Sequence, residues 1–575
     1  MGSTSWNRIV RVSAKLPNAK TRLMALACVS PGVSPGENAR SARFYCWATK
    51  SLLVEAPRQK LLEVGKLPQV PLSKGAGSLA PCWAKNMGLL NLLDFTVIVS
   101  YLAGITWIGS RFYRKNANMQ EYLLGGQGMK WLPVALSILA ADTSAISYLG
   151  VPAWSFQQNM RLNQNVFTYL LAIPIVILLF LPVYSRGNLF TAYQYLENRF
   201  DLRVRLLTST FFLVIRGAHV AVVIYAPALM MAELMGVPLR LSIMVMGVLT
   251  AFYTTLGGIK GVIWTDAIQV ATVFIGFTTV AVAVLSQIPG GFAEVWQTGL
   301  AHHKFDLIDF SLDLNRVDNS WAILCGGTIL AVQAMSTDQA VLQKYFTTKS
   351  VRETSKSLLF YGAVIVPLMT LLSILGVILF VFYASRPELR ATLQNPDAVV
   401  PHFAAKVLPH GLAGLVVASI FAGSMSTVSA SLNSLATSTV VDIYKRMIRA
   451  DRSDRHYTQA SRWATCVWGA LATVGAFYAG RLGALINAFA KIQSLMGGII
   501  LGVFLLGILS KRASSSGVIF ASALGLAAVL YVFIFTSISL FWYCVIGCLT
   551  TLLVGWLWSL IKPSESPARA VTAEG

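Results

Sequence analysis

The stretch LSILAADTSAISYLGVPAW, residues 136–154, decides how the chain is read. It is apolar and long enough to lie within a bilayer, yet it carries Asp142, Thr143, Ser144 and Ser147 at its centre, followed by Gly150 and Pro152. Hydrocarbon offers no water to polar groups, and a central Asp costs on the order of 2.5 to 3.5 kcal/mol on insertion scales. A purely structural helix gains nothing from that mixture. The stretch reads as a helix broken so that its freed groups can coordinate something.

The rest of the chain supports a membrane setting. Of its 575 residues, 55% are hydrophobic and only 12% charged, where soluble domains carry about 25% charged residues; the mean hydropathy is +0.63. The seven cysteines (Cys28, Cys46, Cys82, Cys325, Cys466, Cys544 and Cys548) form no CxxC pair and no metal-ligand spacing, which argues against disulfides and zinc. The net charge of +22 raises the question of a nucleic-acid partner, but much of it lies in residues 1–86, with 13 Lys and Arg against three Glu and no run able to span a bilayer. No nucleic-acid partner is expected. The segment 1–86 reads as a disordered extension or an upstream stretch of the reading frame, with Met87 as the natural start; the alternative is a basic tail resting on anionic lipid. Residues 87–575 then form the working domain.

From Met87 onward thirteen apolar runs follow one another, at about 88–110, 132–156, 165–184, 205–233, 239–256, 260–286, 321–343, 357–384, 411–443, 460–480, 483–509, 515–535 and 541–561. Alternating their directions gathers most of the loop Lys and Arg on one side. By the positive-inside rule that side is cytoplasmic, which puts the natural N-terminus outside and the C-terminus inside. Many spans with polar interruptions are a transporter pattern, in which irregular backbone lines a cavity near the midplane. The run IFAGSMSTVSASLNSLATSTVVDIYKR, residues 420–446, is a second polar and kinkable span, with nine Ser and Thr from Ser424 to Thr439. About half of those hydroxyls are expected to serve packing or to bond back to their own helix.

Five segments together resemble the sodium/solute symporter family: EYLLGGQGMKWLPVALS (121–137), YTTLGGIKGVIWTDAIQV (253–270), STDQAVLQKYFTTKS (336–350), SASLNSLATSTVVDIYKR (429–446) and NAFAKIQSLMGGIILGVFLLGILSKRA (487–513). The resemblance covers essentially all of residues 87–560 and is to bacterial proline-, sialic-acid- and sugar-type members. It implies an all-α polytopic fold with a LeuT-like core of two inverted five-helix repeats, at about 132–286 and 321–509, and an inner (plasma) membrane location. It also implies symport of a small polar solute with Na+ as the coupling ion, by alternating access, with no enzymatic step and no organic cofactor.

Carried over residue by residue, the resemblance places the sodium ion between the broken first core helix and the eighth. Backbone carbonyls of Ala140, Thr143 and Gly423 and the hydroxyls of Ser426 and Thr427 would hold it. Asp142 is open to three readings: it tunes sodium binding, it faces the solute and pairs with an amine, or it caps the following half-helix through the amide of Ser144 or Ala145. Candidate solute contacts are Asp142, Ser144, Ser147, Arg216, His219 and Gln333. Ser144 and Ser147 share a helix face, and Arg216 sits one turn before His219, the position where sialic-acid-type members have arginine. Asp266, in the WTD of the fifth core helix, would form a second sodium site with Ser426, Ser429 and position 430. Ala430 removes one oxygen there, so one Na+ per solute is expected. Lys491 is read as snorkelling or pairing with a structural carboxylate. A carboxylate or zwitterion is favoured as solute, with a sodium-coupled sugar or polyol symporter as the alternative. Rivals of another class are a channel and a membrane sensor, although a sensor would need a long soluble domain where only fourteen residues follow Ile561.

Overall fold

The computed structural model describes residues 91–112, 118–187, 189–393, 395–480 and 485–562, and all regular structure among them is helical. The segment 1–86 and Met87 lie outside the described residues. The main helices are α1 (Leu92–Ser110), α2 (Trp131–Asp142), α3 (Ala145–Gln157), α4 (Gln164–Ile175), α5 (Leu202–Met235), α6 (Leu239–Leu285) and α7 (Thr328–Ser336). They are followed by α8 (Gln339–Tyr345), α9 (Val351–Ala384), α10 (Leu412–Ser438), α11 (Asp454–Ala479), α12 (Leu485–Leu509), α13 (Ser515–Phe535) and α14 (Phe541–Ile561).

The opening stretch is a broken helix, as its composition suggests. Thr143, with φ −83° and ψ 67°, ends α2, and Ser144 is extended. The bend from α2 to α3 is 55°. Ser144 caps α3 by accepting from the Ile146 amide at 3.1 Å, which satisfies one of the amides that a helix start leaves over. The capping role considered for Asp142 therefore belongs to Ser144.

A second break separates α7 from α8 at Thr337 and Asp338, where the Asp338 carboxylate accepts from the Ala340 amide at 2.9 Å. The serine-rich run 420–446, polar and kinkable by its sequence, does not break. That run is continuous: α10 holds 27 residues and passes through a wide π segment at Thr439–Ile448. It is the central helix, buried at every position from Val416 to Ser438. Burial explains its hydroxyls, several of which bond back to their own helix, as Ser434 does to the Ser431 carbonyl at 2.8 Å.

Helix α6 has 47 residues, a rise of about 70 Å against a hydrocarbon core of about 30 Å. Gly258 resolves the mismatch. Its φ of 56° and ψ of −168° are open to glycine and break the helix into the two apolar runs seen in the sequence. Helices lie at all thirteen apolar runs, but among the described residues eight are long and apolar enough to cross a membrane, or nine with the bent α2–α3 pair. The α7–α8 run is cut short by its break, and α11 opens with the polar stretch DRHYTQASR.

Candidate sodium and solute sites

The end of α2 leaves carbonyls without amide partners, and α10 brings hydroxyls to them. Ser426 Oγ lies 2.7 Å from the Ala140 carbonyl and 3.0 Å from that of Gly423. Thr427 Oγ1 lies 2.9 Å from the Ala141 carbonyl and 3.2 Å from that of Gly423. A Cβ on Gly423 would sit 3.0 Å from the Thr143 carbonyl oxygen and 3.3 Å from the Ala145 amide nitrogen, so glycine lets α10 approach the break. Ala140, Thr143, Gly423 and Ser426 also border a buried cavity of about 10 Å³, close to the size of one water. Four of the five residues expected at the ion thus border one small cavity, and Thr427 joins them through the Gly423 carbonyl. Ala141, the neighbour of Ala140, was not foreseen.

Asp142 points elsewhere. It borders a separate cavity of about 210 Å³ between α2, α3, α4, α5, α7, α9 and α10, together with Ser144, Ser147, Arg216, His219 and Thr427. Tyr361 Oη donates to Asp142 Oδ2 at 2.7 Å and Tyr169 Oη donates to the same oxygen at 3.2 Å. Neither tyrosine was singled out in the sequence, since α4 and α9 reach Asp142 only through the fold. Ser147 Oγ donates to the Asp142 carbonyl at 3.2 Å. Three further polar groups of the cavity wall, Trp154 Nε1, Ser431 Oγ and Gln493 Oε1, are buried without a protein hydrogen-bond partner.

Arg216 reaches the cavity but is already paired: its Nη2 donates to Asp338 at the second break. Its Nη1 lies 2.9 Å from His219 Nδ1. A guanidinium only donates, so Nδ1 accepts and His219 is neutral with its proton on Nε2. Gln333 departs from expectation. It does not border the cavity; its Nε2 donates to Thr337 Oγ1 at 3.2 Å, and its amide packs on Gly497. One helical register separates it from Leu330 and Ala334, which do face the space.

Asp266 accepts no hydrogen bond from the hydroxyls of α10. Ser429 Oγ bonds the Ser426 carbonyl at 3.0 Å on its own helix, and Ala430 faces the large cavity. Asp266 Oδ2 instead accepts from Ser137 Oγ at 2.5 Å and from Lys344 Nζ at 3.1 Å, and the Lys344 ammonium also donates to the Ser137 carbonyl at 2.5 Å. Asp266 and Lys344 are both fully buried. A covalently attached cation stands beside the carboxylate that a second sodium would need. Lys344 lay in the quoted STDQAVLQKYFTTKS, but the spacing there gave no sign of its partner.

The model of the sodium:solute symporter family matches residues 122–525. The chain belongs to that family. The symporter is 30% identical to the sodium/sialic acid symporter NanT of Aliivibrio fischeri over 82% of this chain and 94% of that protein. It is 32% identical to human sodium-coupled monocarboxylate transporter 1 over 78% of this chain and 74% of that protein. A solved Na+-coupled sialic acid symporter, substrate-bound and outward-open, superposes with a TM-score of 0.78 at 26% identity, covering 83% of this chain and 99% of the other. The fold is all-helical, polytopic and LeuT-like. The protein is a multi-pass sodium-coupled symporter of a small organic solute.

Proposed function

We propose that this symporter moves a small carboxylate-bearing solute with one Na+ across the inner (plasma) membrane, with the chain's natural N-terminus outside and its C-terminus in the cytoplasm. The observation that carries the reading is the shared wall at Thr427, whose hydroxyl meets the freed Ala141 carbonyl and which also borders the solute cavity. An ion held by the carbonyls of Ala140, Thr143 and Gly423 and the hydroxyls of Ser426 and Thr427 would tie α2 to α10. That tie fixes the position of Ser144 and Ser147, the first cavity-facing residues after the break. Sodium thereby favours one conformation of the bundle, and the solute binds the wall that sodium has ordered.

The relatives named above carry sialic acid and monocarboxylates, and acids as solutes go against the sugar or polyol alternative. Uncommitted donors suited to a carboxylate are the Trp154 indole and the Ser431 hydroxyl, with the Arg216–Asp338 pair nearby. The two broken helices, α2–α3 and α7–α8, fit the first helix of each of two repeats, at about 132–286 and 321–509. The test is uptake by the purified protein in proteoliposomes under an inward Na+ gradient. Uptake that stops when K+ or choline replaces Na+ supports symport over a channel or a sensor. Solute flux independent of the Na+ gradient would refute it.

A further inference from the structure

The charges around the solute cavity do not cancel. Asp142, half-buried, and Arg216 border it, and the buried carboxylates Asp266 and Asp338 and the buried cation Lys344 lie behind its lining. Arg216 is bonded to Asp338 and Lys344 to Asp266. His219 is neutral by its hydrogen bond to the guanidinium. Asp142 is left with two phenolic hydroxyls and no cation in contact, since Arg216 and Lys344 act on it only from a distance. An ionised carboxylate has about four lone-pair positions, so two phenols leave room for another donor on the cavity side.

Binding of one Na+ at the α2–α10 site brings this region to neutrality. A simple monocarboxylate would then add a net negative charge to a buried space that already holds Asp142. A second sodium could offset it, but Lys344 stands beside the carboxylate such an ion would use. A solute with both a carboxylate and an ammonium leaves the loaded site neutral, and its ammonium has a waiting acceptor in Asp142. A second acceptor is the Gln493 Oε1, which borders the same cavity and has no protein partner.

We propose that Asp142 receives the ammonium of the transported solute, so that the solute is an amino-acid-like zwitterion and not a simple monocarboxylate. The inference rests on the reading of one-sodium symport of a carboxylate. The three groups that define the ammonium position, Asp142, Tyr169 and Tyr361, come from three different helices, and the two rings meet edge to face at 5.7 Å between centroids. Such a frame holds the carboxylate in place while the solute enters, without ordering it anew.

The experiment uses the full-length purified protein and thermal shift in matched Na+ and choline buffers, with paired probes that share a skeleton: α-amino acids, their 2-hydroxy analogues and the acids lacking either group. Lactate, propionate and sialic acid are included. The expected result is Na+-dependent stabilisation by an amino acid, with its 2-hydroxy partner weaker by about thirtyfold or more, the change that corresponds to roughly 2 kcal/mol for an unpaired buried charge. In Asp142→Asn that preference should vanish, while Na+ alone still stabilises the protein; Tyr361→Phe should reduce the preference by a smaller factor. The proposal is overturned if a hydroxy acid, propionate or sialic acid binds the wild type as well as the best amino acid. It is equally overturned if Asp142→Asn abolishes the response to Na+ alone, which would place the carboxylate with the ion. A wild type that responds to no solute in a Na+-dependent way would instead sink the symport reading itself.

Discussion

Replacing Ser426 by alanine tests the sodium site at its most exposed assumption, that a hydroxyl of α10 completes a shell built from the carbonyls of a broken helix. Its Oγ is fully buried and sits 2.7 Å and 3.0 Å from the carbonyls of Ala140 and Gly423. The bordering cavity, about 10 Å³, is close to the size of one water, so with the ion in it little room is left for a water to replace the lost oxygen. A hydrogen bond or ligand contact to a charged group contributes about 1.5–3 kcal/mol, which at about 1.4 kcal/mol per tenfold gives a loss of roughly 10- to 150-fold in apparent Na+ affinity. The assay is the Na+ concentration that half-saturates solute uptake in proteoliposomes, backed by Na+-titrated thermal stability without solute. The second readout matters because the substitution also strips a donor from the Ala140 carbonyl and lowers the baseline stability. Ser434→Ala is the control: that hydroxyl bonds only the Ser431 carbonyl at 2.8 Å, and its loss should leave Na+ affinity unchanged. A Ser426→Ala protein whose half-saturating Na+ stays within about twofold of wild type would refute the placement.

Gly423→Ala should weaken Na+ by about tenfold or more without changing any ligand type, because the new methyl would press on the Thr143 carbonyl at 3.0 Å and on the Ala145 amide at 3.3 Å; Na+-dependent uptake checks it, and unchanged dependence would show that the approach is slack. Reversal potentials in proteoliposomes should give one Na+ per solute, since Lys344 already occupies the neighbourhood of Asp266, and a coupling of two would overturn that role. Arg216→Ala should lower thermal stability by about 3–5 kcal/mol by leaving Asp338 buried and unpaired, whereas Arg216→Lys should recover much of it; equal melting temperatures for the two would show that the pair with Asp338 contributes little.

The fold and the break in the first core helix were legible because both depend on local sequence, whereas the candidate ion ligands came from the family resemblance. Polar residues in the middle of an apolar run cannot be satisfied by lipid, so the break at Thr143 follows from the composition of 136–154 alone. The hydroxyls of Ser426 and Thr427 stand on the next polar face that the family resemblance aligns. What the sequence hid was pairing across helices. Lys344 and Asp266 are 78 positions apart, and Arg216 and Asp338 are 122 apart; no periodicity links members of such pairs, and a buried ion pair looks in sequence like two separate functional candidates. Gln333 was misplaced for a smaller reason. It lies on the right helix, but a helix turns about 100° per residue, and residues 330, 331 and 334 take the cavity face while 333 turns towards Gly497. The second break was missed because STDQ carries no glycine or proline, and the cap that Asp338 provides shows only once it is seen between two apolar half-helices.

The placement of Lys344 also bears on how the two halves of the transporter are linked. The ammonium hangs from α8, the far side of the second broken helix, and contacts the Ser137 carbonyl on α2, the near side of the first, as well as Asp266 on α6. Ser137 closes the triangle through its own hydroxyl on Asp266. A buried ion pair adds little net stability over apolar packing, but removing one member is costly, so its retention fits a role in registering elements. Here the registered elements are the two helices whose breaks face the cavity. An ion held as proposed would tie α2 to α10 on one side of the first break, and the fixed ammonium ties α2 to α8 on another. On that proposal the mobile cation would report solute occupancy through Thr427, whereas the tethered one holds α2 in the place from which that report would be made.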